Sequence, residues 1–362
     1  MSNGNSYLTL QLERRTAISV LARNWALAFL VGLLIVFSFT GRGFLSLNNI
    51  ENILYLGTIF VFLAAGETFV IIAGGIDLSV GFVMGLSSVL TAQIMATMTA
   101  ARLPLAETMI VGSLVGLAVS VIPGLISGIL IARYNVPAFI ATLGMLGITN
   151  GVTLSICQGF PVSGLPNSLV KLGNGYLAYA FPGKGFRFFA WPPGMVEDQV
   201  RNLIRIVPNA LVLWVVVILV LLFVLNRTKF GQHTFAIGGS MEAAKRAGID
   251  VRRHLIIIYV LSSFLAGLAG VYNVFQSGVG NFTPFGASYE LFAIAAVVIG
   301  GASLMGGKGS LIGSVVGVLM LEVLENGLSI SGVPAFFRFI AVGVILVIAV
   351  VIDQLFPDLL GR

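Results

Sequence analysis

Five carboxylates lie inside or beside strongly apolar stretches of this 362-residue chain: Glu67, Asp77, Glu290, Glu322 and Glu325. A charge near the centre of a bilayer costs about 2.5 to 3.5 kcal/mol on insertion scales, so each needs a reason to be there. Several of them facing one cavity would make a proton or ion relay. Asp77 has a plainer role open to it, because it precedes the run from Leu78 and is followed by Ser79, where a carboxylate caps a helix and favours its dipole. Other chemistry falls away. His233 and His254 both stand near one basic segment and Cys157 is the single cysteine, so no Ser/His/Asp set, disulfide or metal cluster stands out. Gly301 to Ser310, GASLMGGKGS, approaches phosphate-loop spacing. It has Ala302 where that loop needs Gly, and Gly309 where it needs the magnesium-binding hydroxyl. No metal site and no cofactor on this chain are expected.

The elements that must position these groups are set by composition. With 57% hydrophobic and 9% charged residues and a mean hydropathy of +1.03, against roughly 25% charged in soluble domains, the chain reads as an all-α polytopic membrane protein. Apolar runs near 25–39, 52–73, 78–98, 107–132, 137–157, 209–226, 255–277, 289–305, 309–328 and 335–355 make about ten transmembrane helices. Arg14, Arg15 and Arg23 precede the first run, and Thr40, Gly41, Arg42, Gly43 and Phe44 after it offer no small-residue cleavage site, so it reads as a retained span. The net charge of +6 fits topology and anionic lipid and calls for no nucleic acid. Basic residues between Arg227 and His254 place that loop in the cytoplasm, and ten spans put both termini there too. The same parity places 158–208 outside, where Tyr176, Tyr179, Phe181, Phe186, Phe188, Phe189 and Trp191 among Pro166, Pro182, Pro192 and Pro193 suit either an aromatic belt or a docking cap.

Two echoes suggest related halves. Gly74, Gly75, Ile76, Asp77, Leu78 are answered by Gly300, Gly301, Ala302, Ser303, Leu304, and Val136, Pro137, Ala138, Phe139 by Val333, Pro334, Ala335, Phe336, with about one extra helix in the first copy. Gly-interrupted segments in corresponding places are where a translocation path is expected, because broken helices offer backbone groups to a cavity. Gly74, Gly75, Asp77, Ser79, Glu290, Gly300, Gly301 and Ser303 are therefore the path candidates. Gly112, Gly116, Ser120, Gly124 and Gly128, four apart, suit close helix packing.

The basic loop carries a short helix of its own. Ser240 is a good cap, Met241 and Glu242 open the first turn, Ala243 and Ala244 offer a small-residue surface, Lys245 and Arg246 close it, and Gly248 permits the exit turn. Glu242 and Arg246, four apart, are expected to pair. Such a helix is too short to be stable alone, so it leans either on its own membrane domain or on a soluble partner.

Glu242, Ala243, Ala244 and Gly248 match the EAA-x-x-x-G signature of permease subunits of bacterial ATP-binding-cassette importers, and GGIDLSVG, AIGGSMEAAKRAGI and YELFAIAAVVIGGASLMGGKG resemble the carbohydrate, ribose-type permeases over about 44–353. The resemblance implies a sugar importer's permease in a bacterial inner membrane, paired with a second permease subunit as homodimer or heterodimer. It implies a cytoplasmic ATPase that holds ATP and magnesium and grips Ser240 to Gly248, and a solute-binding protein outside. The chain then divides into a cytoplasmic segment 1–24, a permease domain 25–356 and a tail 357–362. Two departures stand out: Phe292 replaces the family's usual Asp, and the outer loop between Gly173 and Arg205 is long. The competing expectation is an ion-coupled secondary transporter using Glu67, Asp77 and Glu290.

Overall fold

The computed structural model describes residues 25–181, 185–189, 204–282 and 288–355. The segment 1–24 with Arg14, Arg15 and Arg23, the tail 357–362, and Pro182, Trp191, Pro192 and Pro193 lie outside the described residues. In chain order the elements are α1 Trp25–Thr40, α2 Leu47–Ile72, α3 Val80–Ala100, α4 Leu105–Tyr134, α5 Ala138–Cys157, α6 Asn167–Gly173, β1 Tyr176–Phe181, β2 Gly185–Phe188 and β3 Ile204–Pro208. There follow α7 Asn209–Arg227, α8 Lys229–Gly239, α9 Met241–Arg246, α10 Val251–Ser277, α11 Tyr289–Ile299, α12 Leu311–Ile330 and α13 Ala335–Leu355. Every one of the ten apolar runs carries a helix. Seven described helices, α2 to α5, α7, α10 and α12, are long and apolar enough to cross a membrane.

Two expectations are corrected. The run 289–305 is not one span: α11 stops at Ile299 after 11 residues, because Gly301 adopts φ +93 and turns the chain. The 158–208 connection is not only loop. It holds α6 and a three-stranded antiparallel sheet in the order β2-β1-β3, with Tyr179 opposite both Arg187 and Arg205. Tyr176, Ala178 and Ala180, spaced by two, share one face of β1, and Ala178 and Tyr179 are buried.

α2 is the axis of the packing. From Gly57 to Ile72 it is almost wholly buried, with Phe62, Phe69, Ile71 and Ile72 fully buried, and it packs against α10, α11 and α12. The stripe of five small residues along α4, four apart, does the packing expected of it. Gly112 and Gly116 lie against Met95 and Thr91 of α3, and a Cβ at Gly128 would come within 2.9 Å of the Ile256 Cα on α10.

Connections alternate between two ends of the bundle. At one end, here the sheet end, the Tyr176 hydroxyl donates to Glu51 Oε2 at 2.8 Å, and Val162 bridges to Gly280. At the other, the joint end, the residues after α2, α8 and α11 meet one another. In a Cys157→Ser background, a cysteine placed at Asn174 should therefore label from one face of sealed vesicles and one at Gly239 only from the opposite face. Labelling of both from the same side would contradict this arrangement.

Candidate functional site

α2 and α11 end in the same way. After α2 the Gly74 N–H donates to Ile71 O and the Gly75 N–H to Val70 O, both at 2.9 Å, with Gly74 at φ +83. After α11 the Gly301 N–H donates to Val298 O at 2.9 Å and the Ala302 N–H to Val297 O at 3.1 Å. Both are Schellman caps, which satisfy carbonyls that the helix end would otherwise leave unpaired. They also shift the internal echo by one residue: Gly74 corresponds to Gly301 and Gly75 to Ala302. The sequence match of Gly74 with Gly300 is out of register because either glycine of each pair suits a string comparison, but only one occupies the left-handed position.

Beyond Gly75 the chain turns back into the bundle, and there the buried carboxylates are used. Glu67 Oε1 accepts the Asp77 N–H at 3.0 Å. Asp77 Oδ1 accepts the Ser79 N–H at 3.0 Å and its Oγ–H at 2.6 Å, and Asp77 Oδ2 accepts Ser262 Oγ–H at 3.0 Å. Glu67, Asp77 and Ser79 are all fully buried. This corrects the capping expectation. α3 begins at Val80 with Ser79 as its cap residue, and Asp77 serves the turn before it rather than the helix's own free N–H groups. Tyr259 and Ser262, three apart on α10, complete this polar turn; a Cβ at Gly75 would run into the Tyr259 hydroxyl. The sequence reading missed both, although Tyr and Ser on one face of an apolar helix were a usable signal.

The other carboxylates stand apart. Glu290 is buried in the first turn of α11, where a Cβ at Gly81 would come 2.5 Å from its Oε2. Glu322 lies between α12 and Gly57 of α2, and Glu325 is 3.7 Å from Arg338. Phe292 packs on Phe60 with ring centroids 4.1 Å apart. The carboxylates are thus spread among separate packing sites.

Three glycine-containing turns meet at the joint end. The Gly307 N–H donates to Ile72 O at 2.8 Å. A Cβ at Gly238 would collide with that same Ile72 carbonyl, and one at Gly306 would lie 2.9 Å from Gly238 O and 3.0 Å from Gly74 Cα. Within the α11–α12 turn, Ser303 N–H donates to Lys308 O at 3.1 Å, and Ser303 Oγ accepts Met305 N–H at 3.3 Å. Gly300 packs against the Gly313 carbonyl of α12. The candidates Gly74 and Gly75 are thereby brought to the turn that Gly301 and Ser303 open, while Glu290 joins the start of α3 instead.

α8 leads directly from this joint into α9. Ser240 Oγ accepts the Ala243 N–H at 3.2 Å, and Gly248 leaves the helix at φ +82. Two details are corrected. Glu242 pairs with Lys245 at 3.2 Å and not with Arg246; both spacings make neighbours on a helix, and the three-residue one is used here. Ala244 does not share an outer surface with Ala243. It is 3% exposed and packs into the main core, whereas Met241, Ala243 and Arg246 are exposed. Between α9 and the bundle lies a cavity of about 710 Å³, lined by Gly74, Gly75, Met241, Lys245, Arg252 and Tyr259 among others.

Residues 49–350 match the family model described as branched-chain amino acid transport system / permease component. The chain is 35% identical over 323 residues to the Ribose import permease protein RbsC of Bacillus subtilis, covering 89% of each chain. It is 33% identical to the Galactose/methyl galactoside import permease protein MglC of Escherichia coli over 95% of this chain and 97% of that one. It is also 33% identical to the D-allose transport system permease protein AlsC of Escherichia coli, over 86% and 85%. No solved structure matches.

The crowding at Gly75 gives a direct test. Gly75→Ala should destabilise the chain by about 1 to 3 kcal/mol by overpacking against Tyr259. Removing the oxygen with Tyr259→Phe leaves the ring carbon 3.4 Å away, so the double variant should recover most of that loss in a thermal melt. Glu67→Leu strands the buried Asp77 N–H and should cost about 1 to 3 kcal/mol, with Glu67→Gln, which keeps an acceptor, costing less.

Proposed function

The chain belongs to the branched-chain amino acid transport system / permease component family, and from that premise we propose what it carries and what drives it. It is the multi-pass transmembrane permease subunit of an ATP-binding-cassette importer, a transport component rather than an enzyme, and its solute is a monosaccharide or sugar-like molecule. The observation that carries the reading is similarity along nearly the whole chain to permeases for ribose, galactose and allose. The ion-coupled alternative finds no support in the placement of Glu67, Asp77, Glu290 and Glu322, none of which lines the 710 Å³ cavity.

The finer roles are our reading of the geometry. α9 is the handle for a cytoplasmic ATPase, which alone holds ATP and magnesium; this chain carries no cofactor. The handle presents Ala243 and Arg246 outward while Ala244 holds it to the bundle, so a pull on α9 is transmitted through Gly238 to Ile72 and the Gly74 turn. The joint end faces the cytoplasm of a bacterial cell with both termini, and the sheet end meets an extracytoplasmic solute-binding protein. Outward faces of α4, α5 and α7 are apolar, with Leu114, Ile148 and Phe223 about 60% exposed, as lipid or a second permease subunit requires.

Size on the outward face of α9 should matter more than charge. Ala243→Trp is expected to weaken co-purification of the ATPase about tenfold or more and to stop ATP-driven sugar uptake while the permease still inserts. Lys245→Gln removes only a half-exposed ion pair and should change docking by under about 1 kcal/mol. Normal docking and uptake by Ala243→Trp would overturn the handle assignment.

A further inference from the structure

The polar residues at the start of α2 form a pattern that the importer reading has not used. Asn48, Glu51, Asn52 and Tyr55 stand at i, i+3, i+4 and i+7, which puts them on one face of the first two turns of a mostly apolar helix. A helix end at a membrane surface is expected to be polar, but here the stripe also faces a second wall. The outer sheet and the turn before it stand opposite the stripe across an open cleft of about 300 Å³, with Asn48, Glu51 and Asn52 on one side and Asn174, Tyr176 and Arg205 on the other.

The walls of the cleft are held in place. Tyr176 donates its hydroxyl to Glu51 Oε2 at 2.8 Å, and the Arg205 guanidinium lies 5.6 Å from the centre of the Tyr176 ring. Burial, and next the neighbouring Glu51 carboxylate, push the Tyr176 phenol above its ordinary value, so it stays a donor to Glu51. The Tyr55 hydroxyl donates to Asn174 Oδ1, and Asn174 Nδ2 donates to Gln276 O at 3.1 Å, which ties the turn before β1 to α2 and α10.

The chemistry of the lining selects the ligand class. One carboxylate and one guanidinium leave the cleft without net charge, which disfavours both anions and cations. Three carboxamides supply donors and acceptors together, Glu51 supplies acceptors and Arg205 donors. Adjacent hydroxyl groups, each of which both donates and accepts, are the complement of such a set. The volume lies at the lower end of the range for small-molecule sites. We propose that the cleft between the first turns of α2 and the outer sheet is a recognition site in the permease itself for a neutral polyhydroxylated solute, which selects the sugar before it enters the bundle. This rests on the importer reading above. α2, a helix about 39 Å long at 1.5 Å per residue, then joins this cleft at one end to the Gly74 turn at the other.

The test uses the full chain in lipid nanodiscs for binding, and the importer assembled with its ATPase and binding protein in vesicles for uptake, with D-ribose, D-galactose and D-allose supplied one at a time. The sugar that the wild type imports should bind the permease alone. Asn48→Ala and Asn52→Ala should each weaken that binding about two- to tenfold, as expected for one lost hydrogen bond. Uptake KM should rise in step, with the ATPase rate and the melting temperature unchanged, and Asn52→Gln should recover part of the loss. Binding that is absent in the wild type, or indifferent to the double Asn48→Ala/Asn52→Ala variant while uptake proceeds, overturns the cleft and leaves the importer reading standing. Loss of binding-protein attachment in the double variant without any change in sugar binding also overturns it, since the cleft would then be a protein-docking surface. If the wild type shows no ATP-driven uptake of any of the three sugars, the importer reading fails, and the cleft inference falls with it.

Discussion

A chain that reverses into a packed bundle must hand its unpaired backbone groups to something other than water, and beyond the end of α2 that requirement is met by the carboxylate of Glu67. Without it the Asp77 N–H would be buried and bare. The Schellman turn at Gly74 and Gly75 satisfies the carbonyls, Glu67 satisfies the returning N–H, and Asp77 in turn orders Ser79 and Ser262. The re-entrant turn, the start of α3 beside Phe62 and the seat for the neighbouring glycine turns all follow from that exchange.

The joint built on this turn explains why so many glycines gather there. Backbone meets backbone between Ile72, Gly238 and Gly307, and no side chain, however small, fits in those contacts. Close-packed backbone is stiff, so displacement of α8 and α9 has no soft layer in which to be lost before it reaches α2 and α11. The short α9 gains its stability from the same place, through Ala244 in the core, which six residues of helix propensity would not supply. The two halves reach the joint by parallel routes, but they are not simple copies. α4 is inserted in the first, so the Val136–Pro137 turn stands beside the cavity at the joint end while Val333–Pro334 follows α12 at the opposite end.

Much of this was legible in the residue string because the bilayer imposes strict local rules. Apolar length alone located the ten helical stretches, charge marked the segment from Arg227 to His254, and the pairing of Ser240 with an N–H three residues on required only a cap residue followed by a helix former. The family signature lay in contiguous motifs and needed no contact information. What depended on neighbours distant in the chain did not show. The end of α11 at Ile299 turns on which of two adjacent glycines takes a positive φ, and composition treats Gly300 and Gly301 alike. The direction of Ala244 depends on where α9 lies against the bundle. The partner of Glu67 is ten residues away across a reversal, and Tyr259 and Ser262 reach Gly75 and Asp77 only because α10 packs beside α2. Sequence by itself thus determined that this is a bundle of membrane helices interrupted by glycine and carrying a capped basic helix, since those properties follow from hydropathy and backbone preference within a few residues. Only the tertiary structure decided that the interruptions close on one another and that the polar stripe from Asn48 to Tyr55 faces the outer sheet across a cleft, because both arise from packing between segments distant in the chain.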